Sequence, residues 1–83
     1  MDDRKINESS PEFLLRMLGR LDEDCKYYLG NGGRCAKHLW AKDERKQIAL
    51  MRKILCRLRA IFVAPEWMTE QQIDDYAEQM LVF

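Results

Sequence analysis

The stretch Cys25-Lys-Tyr-Tyr-Leu-Gly-Asn-Gly-Gly-Arg-Cys35-Ala-Lys-His38-Leu-Trp40 decides how this chain is read. It holds two of the three cysteines, the single histidine, three of the four glycines and one of the two tryptophans. Glycine-rich and turn-forming at its centre, it interrupts two long helical patterns. Cys25, Cys35 and His38 form C-x9-C-x2-H, and thiolate and imidazole are the ligands zinc prefers. The glycines let the chain reverse, so that Cys25 at a helix exit can face Cys35 and His38. The expectation is a knuckle stapled by one structural zinc. Lys26, Arg34 and Lys37 nearby are expected to help keep the thiols ionised. The fourth ligand stays open between Cys56, Asp24, Asp22 and a water. The spacing matches no common zinc-finger pattern; the competing reading is a core Cys25, a loop thiol at Cys35 and a surface His38.

Upstream, Ser9-Ser10-Pro11-Glu12 marks a helix start: either Ser9 caps with Glu12, or Ser10 caps with Pro11 in the first turn. Leu14, Met17, Leu18, Leu21, Cys25, Tyr28 and Leu29 then recur at three- and four-residue spacing, one apolar stripe of a helix ending near Leu29. Gly30 is placed to take the left-handed conformation that closes it. Residues 1–8 read as a flexible polar segment.

Downstream, Asp43 caps a second helix expected from Glu44 to about Phe62, with Ile48, Met51, Leu55, Leu58 and Phe62 on its apolar side. Pro65 ends it. Thr69 and Gln72 form a capping box, Met68 and Ile73 a hydrophobic staple, and Ile73, Tyr76, Ala77 and Met80 the stripe of a last helix. Leu81-Val82-Phe83 is an apolar tail that packs or meets a partner. Trp40 and Trp67 read as packing residues, Tyr28 as buried and Tyr27 as partly exposed. No strand alternation or repeat is present. The fold class is therefore all-α: a small bundle of three main helices, one domain over residues 9–83, with the zinc-stapled turn between the first two.

Size favours such a staple, because a chain of 83 residues buries only roughly 60% of its unfolded surface. Fourteen basic and fourteen acidic residues cancel, which excludes whole-molecule attraction to nucleic acid or an anionic membrane. The charge is nevertheless polarised. Nine Lys or Arg lie from Arg34 to Arg59 against two acids, and five acids with no Lys or Arg follow from Glu66 on, so one face can be positive. Arg45, Arg52, Lys53, Arg57 and Arg59 are the candidate partner-binding residues there, for phosphates or an acidic protein surface. The charged start lacks the apolar segment of a signal peptide, and no run nears the ~20 residues of a membrane span. A cytosolic setting is expected, where thiols stay reduced.

Catalysis is not expected. Cys35 and His38 lack an orienting third group, and no general base accompanies them. The glycine run follows a helix and lacks Gly-Lys-Ser/Thr, so it is no phosphate loop.

Asp24-Cys25, Tyr27-Tyr28-Leu29-Gly30-Asn31-Gly32, His38-Leu39-Trp40-Ala41, Gln47-Ile48, Met51, Pro65-Glu66-Trp67-Met68-Thr69, Ile73, Tyr76 and Met80 resemble the large polyvalent protein-associated domains of phages and mobile elements. The resemblance covers residues 20–80, with Leu-Gly-Asn-Gly and Pro-Glu-Trp-Met-Thr its most specific blocks. In that family the position of His38 also takes Cys, and a Gly or Asn turn is expected after Ala41 where this chain has Lys42-Asp43. The resemblance implies a small phage-type inhibitor in the bacterial cytoplasm. By that implication it is an anti-CRISPR protein blocking the RNA-guided nuclease of a type II system through a protein interface, with direct DNA binding not expected. The alternative is a nucleic-acid-binding accessory module using the basic side of the central helix.

Overall fold

The computed structural model describes residues 1–81. Val82 and Phe83, the end of the expected apolar tail, lie outside the described residues. Among these residues there are four α-helices and no strand: α1 Asp3–Glu8, α2 Pro11–Leu29, α3 Glu44–Ala60 and α4 Glu70–Met80, with a short 3-10 helix at Ala36–His38.

The caps follow local chemistry. Ser10, not Ser9, caps α2, its side chain accepting from Phe13 N–H, and Pro11 opens the first turn. Asp43 caps α3, accepting from Lys46 N–H at 2.9 Å. Thr69 and Gln72 close a reciprocal capping box on α4, and Met68 and Ile73 are both buried.

One core joins the elements: Leu14, Leu18, Leu21 and Cys25 of α2, Met51, Ile54, Leu55 and Leu58 of α3, and Ile73 and Met80 of α4. Leu39 reaches it from the knuckle. Burying each large aliphatic side chain contributes about 1.5–3 kcal/mol against the entropy of ordering the chain.

Two expectations are corrected here. Residues 1–8 are not a bare polar tail: Asp3–Glu8 is helical, Asp2 caps it, and Ile6 is 2% exposed against α3. Six residues are too few for an independent helix, so α3 holds it: Lys53 Nζ pairs with Asp3 at 3.3 Å and Arg57 donates to Asn7 O at 3.4 Å. One apolar residue in six leaves no periodicity to read.

The second correction is Phe62. It does not continue the stripe of α3 but stands 95% exposed at φ +62°. The helix has closed at Ala60: Val63 N–H reaches Leu58 O at 2.9 Å and Phe62 N–H reaches Arg59 O at 3.1 Å. Those two bonds make a Schellman end, with Phe62 at the position glycine usually takes.

Candidate functional site

The knuckle begins where α2 runs out of carbonyl partners. Gly30 N–H returns to Lys26 O and Tyr27 O, and Gly32 N–H reaches Tyr27 O. A Cβ on Gly32 would sit 2.6 Å from Tyr27 O, so only glycine fits. The left-handed residues are Gly33 and Arg34, not Gly30 as expected; Gly30 sits at φ −108°. Arg34 N–H then reaches Tyr28 O, and its guanidinium lies 5.6 Å from the Tyr28 ring centre. Lys42 is the third left-handed position before α3, at φ 60°. It occupies the place where the resemblance implies a Gly or Asn turn.

Hydrogen bonds hold this loop to the bundle. Asp24 accepts Trp40 N–H at 2.9 Å. Gln47, fully buried on α3, accepts Ala41 N–H at 3.0 Å and donates to Leu21 O at 3.4 Å. Tyr28 donates its hydroxyl to Glu44 at 2.7 Å, and Tyr76 of α4 donates to Asp22 at 2.6 Å. Lys42 Nζ donates to Lys37 O.

The expected zinc ligands do not converge. Among the described residues, no three of His, Cys, Asp or Glu gather into a metal-binding group. Cys25 is fully buried with Sγ 3.6 Å from Met51 Sδ. Burial, then the neighbouring Asp22 and Asp24, pushes its thiol up to about 12, the opposite of the ionisation expected from Lys26, Arg34 and Lys37. Cys35 is half-buried, and His38 packs edge-on to Tyr27 with ring centres 5.2 Å apart. The proposed fourth ligands are elsewhere: Asp24 holds Trp40, Asp22 holds Tyr76 and Lys26, and Cys56 is exposed on α3, facing the groove to α1. Among the described residues the zinc-stapled turn is thus unsupported, and hydrogen bonds close the turn.

The basic side of α3 is also engaged within the molecule. Arg52 pairs with Asp74 at 2.6 Å and Arg59 with Glu70 at 2.8 Å, both on α4, while Lys53 and Arg57 hold α1. Arg57 Nε is buried and has no hydrogen-bond partner among the described residues. Acids of α4 thus pair with two of the cations of the helix it packs on, Arg52 and Arg59. Arg45 is exposed.

What the fold leaves open lies at the knuckle. Among the described residues, Arg34, Lys37, Lys42, Arg45 and Lys46 make no ion pair (Arg34 instead donates to Gln79 O), and Tyr27, His38 and Trp40 are exposed beside them. Trp40, expected to pack, instead walls a shallow groove of about 290 Å³ with Ala41, Lys46, Leu50 and Lys53. Gln47 is a structural element that the helical stripe alone does not announce. Its signal was a polar side chain at helical spacing from Leu50, Met51 and Ile54.

A family model for large polyvalent protein-associated domain 11 matches residues 11–80. The chain belongs to this family. The match covers α2 through α4, and α1 precedes it. No curated protein and no solved structure matches the chain. This large polyvalent protein-associated domain has, among its described residues, no helix long and apolar enough to cross a membrane.

Proposed function

We propose that this domain binds rather than catalyses, docking through the knuckle onto an acidic surface of a larger protein. One observation carries the reading. The bundle's own acids close on Arg52, Lys53 and Arg59, yet five cations from Arg34 to Lys46 stay without an ion pair among the described residues, next to three exposed aromatic rings. Aromatic and cationic side chains together are the composition of energetic centres in protein interfaces. Membership of a family named for its association with large polyvalent proteins supports a large partner.

The finer form of the proposal, supported by the resemblance alone, takes the partner to be the RNA-guided nuclease of a type II CRISPR system, met in the bacterial cytoplasm and inhibited by occupation of its surface. The test adds the purified protein to such a nuclease loaded with guide RNA and target DNA. Suppressed cleavage, co-elution at physiological salt and loss of both on Lys37→Glu/Arg45→Glu/Lys46→Glu are expected. Undiminished cleavage and separate elution would end the nuclease reading.

The same composition favours a second reading, binding of single-stranded nucleic acid, with bases stacked on Tyr27, His38 or Trp40 and phosphates on the cations. Anisotropy of a labelled oligonucleotide across a salt series separates the two. Tight binding that falls steeply with salt belongs to the second reading.

A further inference from the structure

The groove walled by Trp40 combines an apolar floor with charge of one sign. Its apolar lining is Trp40, Ala41, Ala49 and Leu50, with Met1 beside them. Its polar lining is two lysines, Lys46 and Lys53, and among the described residues no acid. The lysines stand seven residues apart on α3, so they share one side of the helix about 10 Å from each other. Ala49 and Leu50 fall between them, three and four residues from either. One side of α3 therefore runs cation, apolar floor, cation. Lys46 makes no ion pair among the described residues. Lys53 meets Asp3 at 3.3 Å with both side chains more than half exposed, a pair weak enough to share its cation with a newcomer.

The wall is set before anything binds. Trp40 N–H is held by Asp24 at 2.9 Å and Ala41 N–H by Gln47 at 3.0 Å. A partner meets a finished shape and does not have to order the loop. Size narrows the occupant. The space of about 290 Å³ lies at the floor of the ~300–1,000 Å³ range of small-molecule sites and suits a single side chain.

We infer that this groove takes one leucine-sized apolar side chain from an acidic helix of the partner protein, with a carboxylate one turn to either side resting on Lys46 and Lys53. Under the proposed docking onto an acidic surface, on which this rests, that surface presents acid, apolar residue and acid along one helix, the acids seven residues apart. Charge complementarity selects this occupant. Carboxylates alone would leave the floor unfilled, and an uncharged apolar segment would cover Lys46 without pairing it. A helix laid along α3 matches the spacing because both rise by the same amount per residue. A nucleic-acid strand fits less well: among the described residues no side-chain amide, hydroxyl or carboxylate lines the groove to hydrogen-bond a base edge.

Nuclear magnetic resonance of the isotope-labelled full chain tests this with synthetic peptides of about sixteen residues, long enough to sample a helix. The first, of alanine and glutamine, carries two glutamates seven residues apart and a leucine midway. The second has glutamine in place of that leucine, and a third probe is oligothymidylate. The first peptide is expected to shift the Trp40 indole and the amides from Lys46 to Lys53, leave the Trp67 indole in place, and bind about tenfold more tightly than the second. Ala49→Arg, at an exposed position of α3, fills the groove with a helix-favouring residue and adds a cation. It should abolish the preference for leucine, whereas Lys46→Glu should weaken both peptides. Equal affinities for the two peptides, or an Ala49→Arg protein that still prefers leucine, overturn the groove's role and leave docking onto acids standing. No shift from either peptide, at the groove or at Lys37 and Arg45, counts against acidic docking itself and overturns this assignment with it. Oligothymidylate that moves Trp40 where the leucine peptide does not overturns it in favour of nucleic acid.

Discussion

Gln47 Oε1 accepts the backbone N–H of Ala41 at 3.0 Å from a side chain with no solvent exposure. That bond fixes the exit of the knuckle to the first turn of α3, while the same amide donates to Leu21 O on α2. A buried amide bonded on both sides ties three segments together as firmly as its own desolvation demands. Gln47→Leu keeps the volume but strands Ala41 N–H, while Leu21 O, inside α2, keeps its helical partner. It is expected to cost about 1–3 kcal/mol in urea unfolding. A loss below the error of the measurement would show that the bond holds nothing.

Metal removal should leave the protein unchanged. Cys25, Cys35 and His38 do not converge, so a strong chelator is expected not to move the melting temperature, and elemental analysis should find no stoichiometric zinc. The thiols should separate by burial: at neutral pH a thiol reagent labels exposed Cys56 first, then Cys35, and reaches Cys25 only on unfolding. Early labelling of Cys25, or a chelator-induced drop in melting temperature, would restore the staple.

Two glycines should respond with opposite signs. Gly32→Ala drives a Cβ to 2.6 Å from Tyr27 O and is expected to destabilise by about 2 kcal/mol or more. At Gly19, inside α2, a Cβ would meet Trp67 Cη2 at 3.8 Å, an ordinary contact. Gly19→Ala should therefore stabilise by up to about 1 kcal/mol through helix propensity. Paired melts of the two variants check both.

Stability should fall in alkali. The Cys25 thiol is pushed up from 9.0 to about 12, first by burial and then by Asp22 and Asp24. Burial and the bond to Asp22 raise Tyr76, and burial and the bond to Glu44 raise Tyr28. For an acid whose folded value is raised, the contribution is complete below the unfolded value and is lost as pH climbs toward the folded one. The free energy of unfolding is thus expected to drop from about pH 9 upward, by at most about 1.4 kcal/mol per unit for each group. Cys25→Ala should flatten part of that slope. A wild-type profile flat up to pH 12 would contradict the burial of these groups.

The helices were legible because their signals are local. Ser10, Asp43 and Thr69 act on N–H groups within three residues, and the stripes of α2 and α3 repeat at the helical period. The candidate site was not. Cys25 looks like a ligand because it stands in the last turns of α2, ahead of the loop that carries Cys35 and His38, but its position on the stripe already places it among core residues. The cations of α3 looked free because their partners, Asp3, Glu70 and Asp74, lie 11 to 50 residues away in sequence. Large rings favour interiors, so packing is the expectation for Trp40 and Trp67, whereas each is left about half open.

By itself the sequence determined where α3 and α4 start, where α2 stops, which sides are apolar, and that the Leu29–Ala41 stretch must bend, since caps, periodicity and glycine act over a single turn. Only the tertiary structure decided what closes that bend, which charges are neutralised, and that α1 forms at all. Those outcomes depend on groups far apart in the chain meeting in a desolvated space, and nearest-neighbour chemistry does not encode such meetings.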